Sequence, residues 1–81
     1  MLSSYINVYN TCLVILRKRG FYIRHEADKE LWYAEYSGFV FCADNPIELL
    51  GLVGIYDELK PTSDTEDWWK VDHPDVLAEF D

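Results

Sequence analysis

Residues 21–43 read FYIRHEADKELWYAEYSGFVFCA, and the alternation within this stretch decides the fold. Phe21, Ile23 and His25 alternate with Tyr22, Arg24 and Glu26, a period of two that belongs to a half-buried strand. Ser37-Gly38 has the length of a two-residue hairpin loop and pairs Tyr36 with Phe39 and Ala34 with Phe41. A second reversal at Ala27 to Glu30 pairs Glu26 with Leu31 and Arg24 with Tyr33. The two registers agree. They gather Phe21, Ile23, Trp32, Ala34, Tyr36, Phe39, Phe41 and Ala43 on one face of a three-stranded meander. Tyr22, Arg24, Glu26, Tyr33, Glu35, Val40 and Cys42 fall on the other. The first face is the core, and a slip of one residue would exchange every side chain.

On the N-terminal side, Leu2, Tyr5, Ile6, Tyr9, Cys12, Leu13 and Leu16 recur at steps of three and four, the spacing of one helix face. Ser3 or Ser4 is the expected N-cap. Arg17, Lys18 and Arg19 suit the negative end of the helix dipole, and Gly20 is placed as C′. Leu16 and Phe21 then occupy the positions that touch in a Schellman motif. On the C-terminal side, Asn45, Pro46 and Glu48 open a second helix as N-cap, N1 and N3. Pro61 ends it. Apolar residues nearly encircle this helix, so it is expected to pack on both the sheet and the first helix. Gly51 and Gly54 each cost about 1 kcal/mol relative to Ala there, which points to a close approach of another backbone or ring.

The order is αβββα, an α+β single domain over residues 1–60, followed by an acidic aromatic arm over residues 61–81. The arm holds seven acids and one Lys, a balance of −6 within the net charge of −8. Its acidic run reads as solvated, whereas Trp68 and Trp69 are expected to dock, and Val76, Leu77 and Phe80 have helical spacing behind Pro74. In 81 residues, 49% of them hydrophobic, there is material for one core.

A surface this acidic repels phosphate backbones and anionic headgroups, so neither nucleic acid nor membrane is an expected partner. The longest apolar run, Cys12 to Leu16, is far short of the ~20 residues a bilayer requires. The first residues have none of the features of a signal peptide, and a cytoplasmic setting is the expectation. Cys12 and Cys42 are read there as small core hydrophobes, not as a disulfide.

The chain has no GxGxxG, Walker, HExxH or GxSxG pattern, so no catalytic, cofactor or metal residue is assigned and enzymatic activity is not expected. His25 is read as a packed strand-end histidine beside Trp32, with a catalytic role as the alternative. Asp72-His73-Pro74-Asp75 lacks the converging ligands of a metal site. His73-Pro74-Asp75 resembles the J-domain signature, but there the tripeptide joins two helices of an all-helical domain after a basic helix, and here it follows acidic residues. Two clusters remain. Tyr22, Arg24, Tyr33 and Glu35 lie together on the outer sheet face, with two Tyr and one Arg of the types enriched at interface hot spots. Asp64, Glu66 and Asp67 precede Trp68 and Trp69 in the arm, where acids supply steering and rings supply contact area.

The segment Trp32 to Leu59, with Asn45-Pro46-Ile47-Glu48-Leu49-Leu50-Gly51-Leu52 at its centre, resembles small uncharacterised bacterial proteins in which a strand hairpin leads into such a helix. The resemblance implies the hairpin–helix fold and carries no catalytic residue. By class analogy, small acidic bacterial proteins of this size include immunity proteins that neutralise a toxin. The expected function is therefore binding of a basic protein partner, as an immunity-like inhibitor or adaptor. A small enzyme using His25 or the outer sheet face, and a structural homo-oligomer, are the alternatives; the chain is expected to be a monomer or a homodimer.

Overall fold

The computed structural model describes residues 1–71 and 75–80. Helix α1 spans Tyr9–Lys18, strands β1, β2 and β3 span Tyr22–Glu26, Leu31–Tyr36 and Phe39–Ala43, and helix α2 spans Pro46–Leu59. The antiparallel sheet has the order β1-β2-β3, with both helices on one face. This is the αβββα arrangement expected, and its registers are those read from the sequence. Arg24 faces Tyr33, Glu26 faces Leu31, Ala34 faces Phe41 and Tyr36 faces Phe39. Ser37 (φ 48°) and Gly38 (φ 87°) both take positive φ, the backbone of a type I′ turn whose twist matches that of the strands it joins.

Leu16 from α1, Leu49 and Val53 from α2, and Phe21, Ala34, Phe39 and Phe41 from the sheet side form the buried cluster. Phe21 meets Phe41 and Tyr56 edge to face, at centroid separations of 5.9 and 6.2 Å. Burying each phenyl ring contributes about 1.5–3 kcal/mol, a large share of the stability a small domain has. Tyr36 belongs to this face but stays 43% exposed, because its ring caps Phe21 from the hairpin end of the sheet, at 5.2 Å.

Local chemistry fixes the helix ends. Phe21 N–H donates to Leu16 C=O at 3.1 Å and Gly20 N–H to Arg17 C=O at 2.9 Å, the paired bonds of a Schellman motif, with Gly20 at φ 90°. At the start of α2, the Asn45 side chain accepts from Glu48 N–H at 2.9 Å, and its amide donates to the Glu48 carboxylate at 2.8 Å. Lys60 closes the helix in the left-handed conformation, one residue before Pro61.

Three expectations are corrected. The first helix begins at Tyr9, after a 3₁₀ turn over Ile6–Val8, and neither Ser3 nor Ser4 caps it. Strands of five or six residues run only about 17–20 Å, so a helix begun at Ser3 would overhang the sheet; Leu2, Tyr5 and Ile6 are exposed. Gly51 and Gly54 mark no close contact: a Cβ at either would meet nothing within 4 Å, because both lie on the flank of α2 turned away from Leu49 and Val53. In the arm, Trp68 packs against the core cluster, whereas Trp69 is 50% exposed and Val76, Leu77 and Phe80 stand in solvent around a 3₁₀ turn, Leu77–Phe80.

Candidate functional site

Because both helices cover one face of the sheet, its other face is left open, and the first candidate cluster lies there. The pairing of β1 with β2 sets Arg24 opposite Tyr33, and the guanidinium carbon sits 4.0 Å from the centre of the Tyr33 ring. Arg24 also reaches Glu35 at 3.7 Å and Glu26 at 3.5 Å, and Lys29 approaches Glu26 at 3.7 Å. The neighbouring Tyr33 hydroxyl holds the Glu26 carboxyl below its usual range, and Glu26 in turn pushes the Tyr33 phenol up to about 12. Tyr22 is exposed beside the network. The cluster is a mutually satisfied charge network on a solvated face, suited to contact with another surface.

The second cluster is held by Asp64. One oxygen of its carboxylate accepts from the indole Nε1–H of Trp68 at 3.0 Å, and the other from the backbone N–H of Val40 at 3.2 Å. Asp64 thereby ties the arm to the edge strand, and Trp68 turns edge-on to Phe39, Phe41 and Tyr56 at 5.9, 6.3 and 6.3 Å. Trp69 stands perpendicular to Trp68 at 6.0 Å. Asp67, at φ 60°, pairs with Lys70 at 3.2 Å, and Glu66 is exposed. Asp64 and Trp68 therefore fasten the arm, while Glu66, Asp67 and Trp69 face outward.

The two clusters do not form one patch. Tyr22 and Arg24 are on β1, roughly 10 Å across the sheet from β3, which the arm crosses, and only Tyr33 and Glu35 on the central strand adjoin β3. Between arm and helix the structure instead opens an apolar groove of about 380 Å³, walled by Val40 and Cys42 of β3, Leu52 and Ile55 of α2, and Trp68 and Trp69. Sequence reasoning missed this groove. Its one signal was the near-encircling apolar surface of α2, which extends past the core to the exposed Ile55.

His25 stacks on Trp32 at 4.1 Å and 18°, as its register implied, but is exposed at the rim of a cleft of about 300 Å³. Cys12 is buried, which pushes its thiol up, whereas Cys42 is exposed on the outer face, and both are free. The reading of Cys42 as a core hydrophobe is thus corrected, while its placement on the outer face by the strand register holds; in β3 it alternates with the buried Phe41. No group of three or more His, Cys, Asp or Glu able to hold a metal occurs among the described residues. Asp72, His73 and Pro74 lie outside them. Among the described residues, no helix is long and apolar enough to cross a membrane. Compared with protein-family models, with curated proteins and with solved structures, the chain matches none.

Proposed function

We propose that this chain is an acidic protein-binding module that inhibits or adapts a basic protein partner, in the manner of the immunity proteins to which its size and charge compare. The observation that carries the reading is the anchorage of the arm: Asp64 fixes it against β3 and sets the half-exposed Trp69 in the wall of an open apolar groove, with Glu66 and Asp67 exposed just before it in the chain. Carboxylates at the rim accelerate encounter with a cationic surface, and a ring beside an apolar pocket anchors the complex. The net charge of −8 supports the choice of a basic partner. The open sheet face, with Tyr22 exposed and Arg24, Tyr33 and Glu35 half-buried beside it, supplies a second contact area. A cytoplasmic site of action accords with the two free thiols.

The test begins with capture of the partner from the native host and its identification, followed by stopped-flow association. Glu66→Gln with Asp67→Asn slows association several-fold and flattens its salt dependence, and Trp69→Ala speeds dissociation about tenfold. Association indifferent both to salt and to the double neutralisation refutes the reading. A homodimer is the second reading, favoured by the exposed Leu2, Tyr5 and Ile6 beside a groove lined by Val8, Ile15, Ile47 and Leu50; light scattering distinguishes it.

A further inference from the structure

The hairpin turn settles which backbone groups of β3 are free. Tyr36 and Phe39 flank a two-residue loop and so exchange hydrogen bonds, as do Ala34 with Phe41 and Trp32 with Ala43. Val40 and Cys42 occupy the alternate positions and turn their N–H and C=O groups away from β2. As β3 ends the sheet, these groups look outward. The bond from Val40 N–H to Asp64 fits this parity, the carboxylate standing where the carbonyl of a neighbouring strand would stand. At Cys42, one step along, the N–H and C=O have no partner among the described residues, and the groove lies directly alongside.

We infer that the Cys42 edge of β3 is a strand-addition site, taking an extended basic segment of the partner as a fourth, antiparallel strand. The inference rests on the basic-partner reading above and names the mode of contact. A residue of the incoming segment opposite Cys42 exchanges two backbone hydrogen bonds with it and turns its side chain to the outer face, in line with Cys42 and Tyr33 and with Glu35 on the adjoining pair. Its neighbours turn theirs to the other face, into the groove between Leu52, Ile55 and Trp69. Asp64 already holds Val40 N–H, so the added ladder stops there, and the segment ends beside the arm's carboxylates. The motif accepted is thus an alternation of cationic and aliphatic residues, the pattern by which strand addition takes affinity from backbone and specificity from alternate side chains. Charge favours a basic segment over a second copy of this chain at this edge, since a copy would bring another Asp64 against Asp64 here, whereas the homodimer reading uses the Leu2, Tyr5 and Ile6 face.

The probe is a nine-residue peptide alternating lysine with valine, acetylated and amidated, titrated into the full chain while amide exchange is followed by NMR. Binding slows exchange at Cys42 N–H at least tenfold. N-methylation of the lysine amides, which face β3, abolishes it, whereas N-methylation of the valine amides leaves affinity within about threefold. Ile55→Glu, at a position 42% exposed, weakens the peptide at least tenfold without altering the circular dichroism. Salt-dependent binding with unchanged Cys42 exchange and indifference to N-methylation overturns strand addition and leaves the basic-partner reading standing. Salt-independent binding with the full N-methylation pattern keeps strand addition and removes the electrostatic reading. No binding at millimolar peptide, or Cys42 exchange already slowed by self-association in the free chain, overturns the proposal.

Discussion

Replacing Asp64 with alanine removes two hydrogen bonds at once, to Trp68 Nε1–H and to Val40 N–H. A hydrogen bond to a charged group contributes about 1.5–3 kcal/mol when shielded, and both partners here are solvent-accessible, so together the two amount to about 1–2 kcal/mol. In a domain of this size that corresponds to a fall in Tm of roughly 5–15 °C. Trp68→Ala removes the ring from the Phe39, Phe41 and Tyr56 cluster and costs about 2–4 kcal/mol, the lower part of the range for a core tryptophan because Trp68 is only half-buried. Since one Asp64 bond goes to Trp68 itself, the two losses overlap, and the double mutant is less destabilised than their sum by about 1 kcal/mol. Urea denaturation of the four proteins closes the cycle, and the Trp68 indole N–H resonance reports whether the arm is still seated. Full additivity, or an Asp64→Ala stability within about 0.3 kcal/mol of the parent, refutes the account of Asp64 as the fastening.

Gly51→Ala and Gly54→Ala each raise stability, by up to about 1 kcal/mol, since both sites are helical and open; a lowered Tm for either shows a contact that the fold does not contain. The Tyr33 phenol titrates near 12 instead of 10.0, and Glu26→Gln returns it toward the ordinary value, read from phenolate absorbance in the near ultraviolet. Its folded pKa being the higher, the stabilisation is complete below pH 10 and is lost as pH climbs toward 12. The Glu26 carboxyl is shifted the other way, so its share is present above its ordinary 4.5 and is lost as pH falls. A Tyr33 titration indistinguishable from the other tyrosines removes the pair.

The meander was legible because three constraints in residues 21–43 agree: period-two alternation, a loop of fixed length at Ser37-Gly38, and a second loop that must give the same inward face. The cap at Asn45 and the Schellman motif at Gly20 were legible for the same reason, being short-range chemistry written in consecutive residues. The start of α1 was not. Leu2, Tyr5 and Ile6 have the right spacing, but whether a turn forms there depends on how far the sheet extends beneath it, which spacing does not encode. Gly51 and Gly54 misled likewise, since a glycine on an open flank has the same spelling as one under a neighbouring backbone. The candidate residues were assigned to their elements, yet the groove went unread, because it exists only where Asp64 brings residues 24 positions apart together at Val40.

The sequential strand order also governs how fast the chain finds its structure. Each ladder joins neighbours in sequence through loops of four and two residues, closures that take tens of nanoseconds to microseconds. The longest-range of the main contacts is α1 against α2, and it can form only once the meander has carried the two helices to the same side. Its loop-closure entropy therefore falls late and on a chain already shortened by its own hairpins, the condition under which a small mixed domain folds rapidly. Trp68 joins last in sequence, closing over Phe39, Phe41 and Tyr56 after the strands and α2 that carry them, so the arm seats on a core whose other members are already in place.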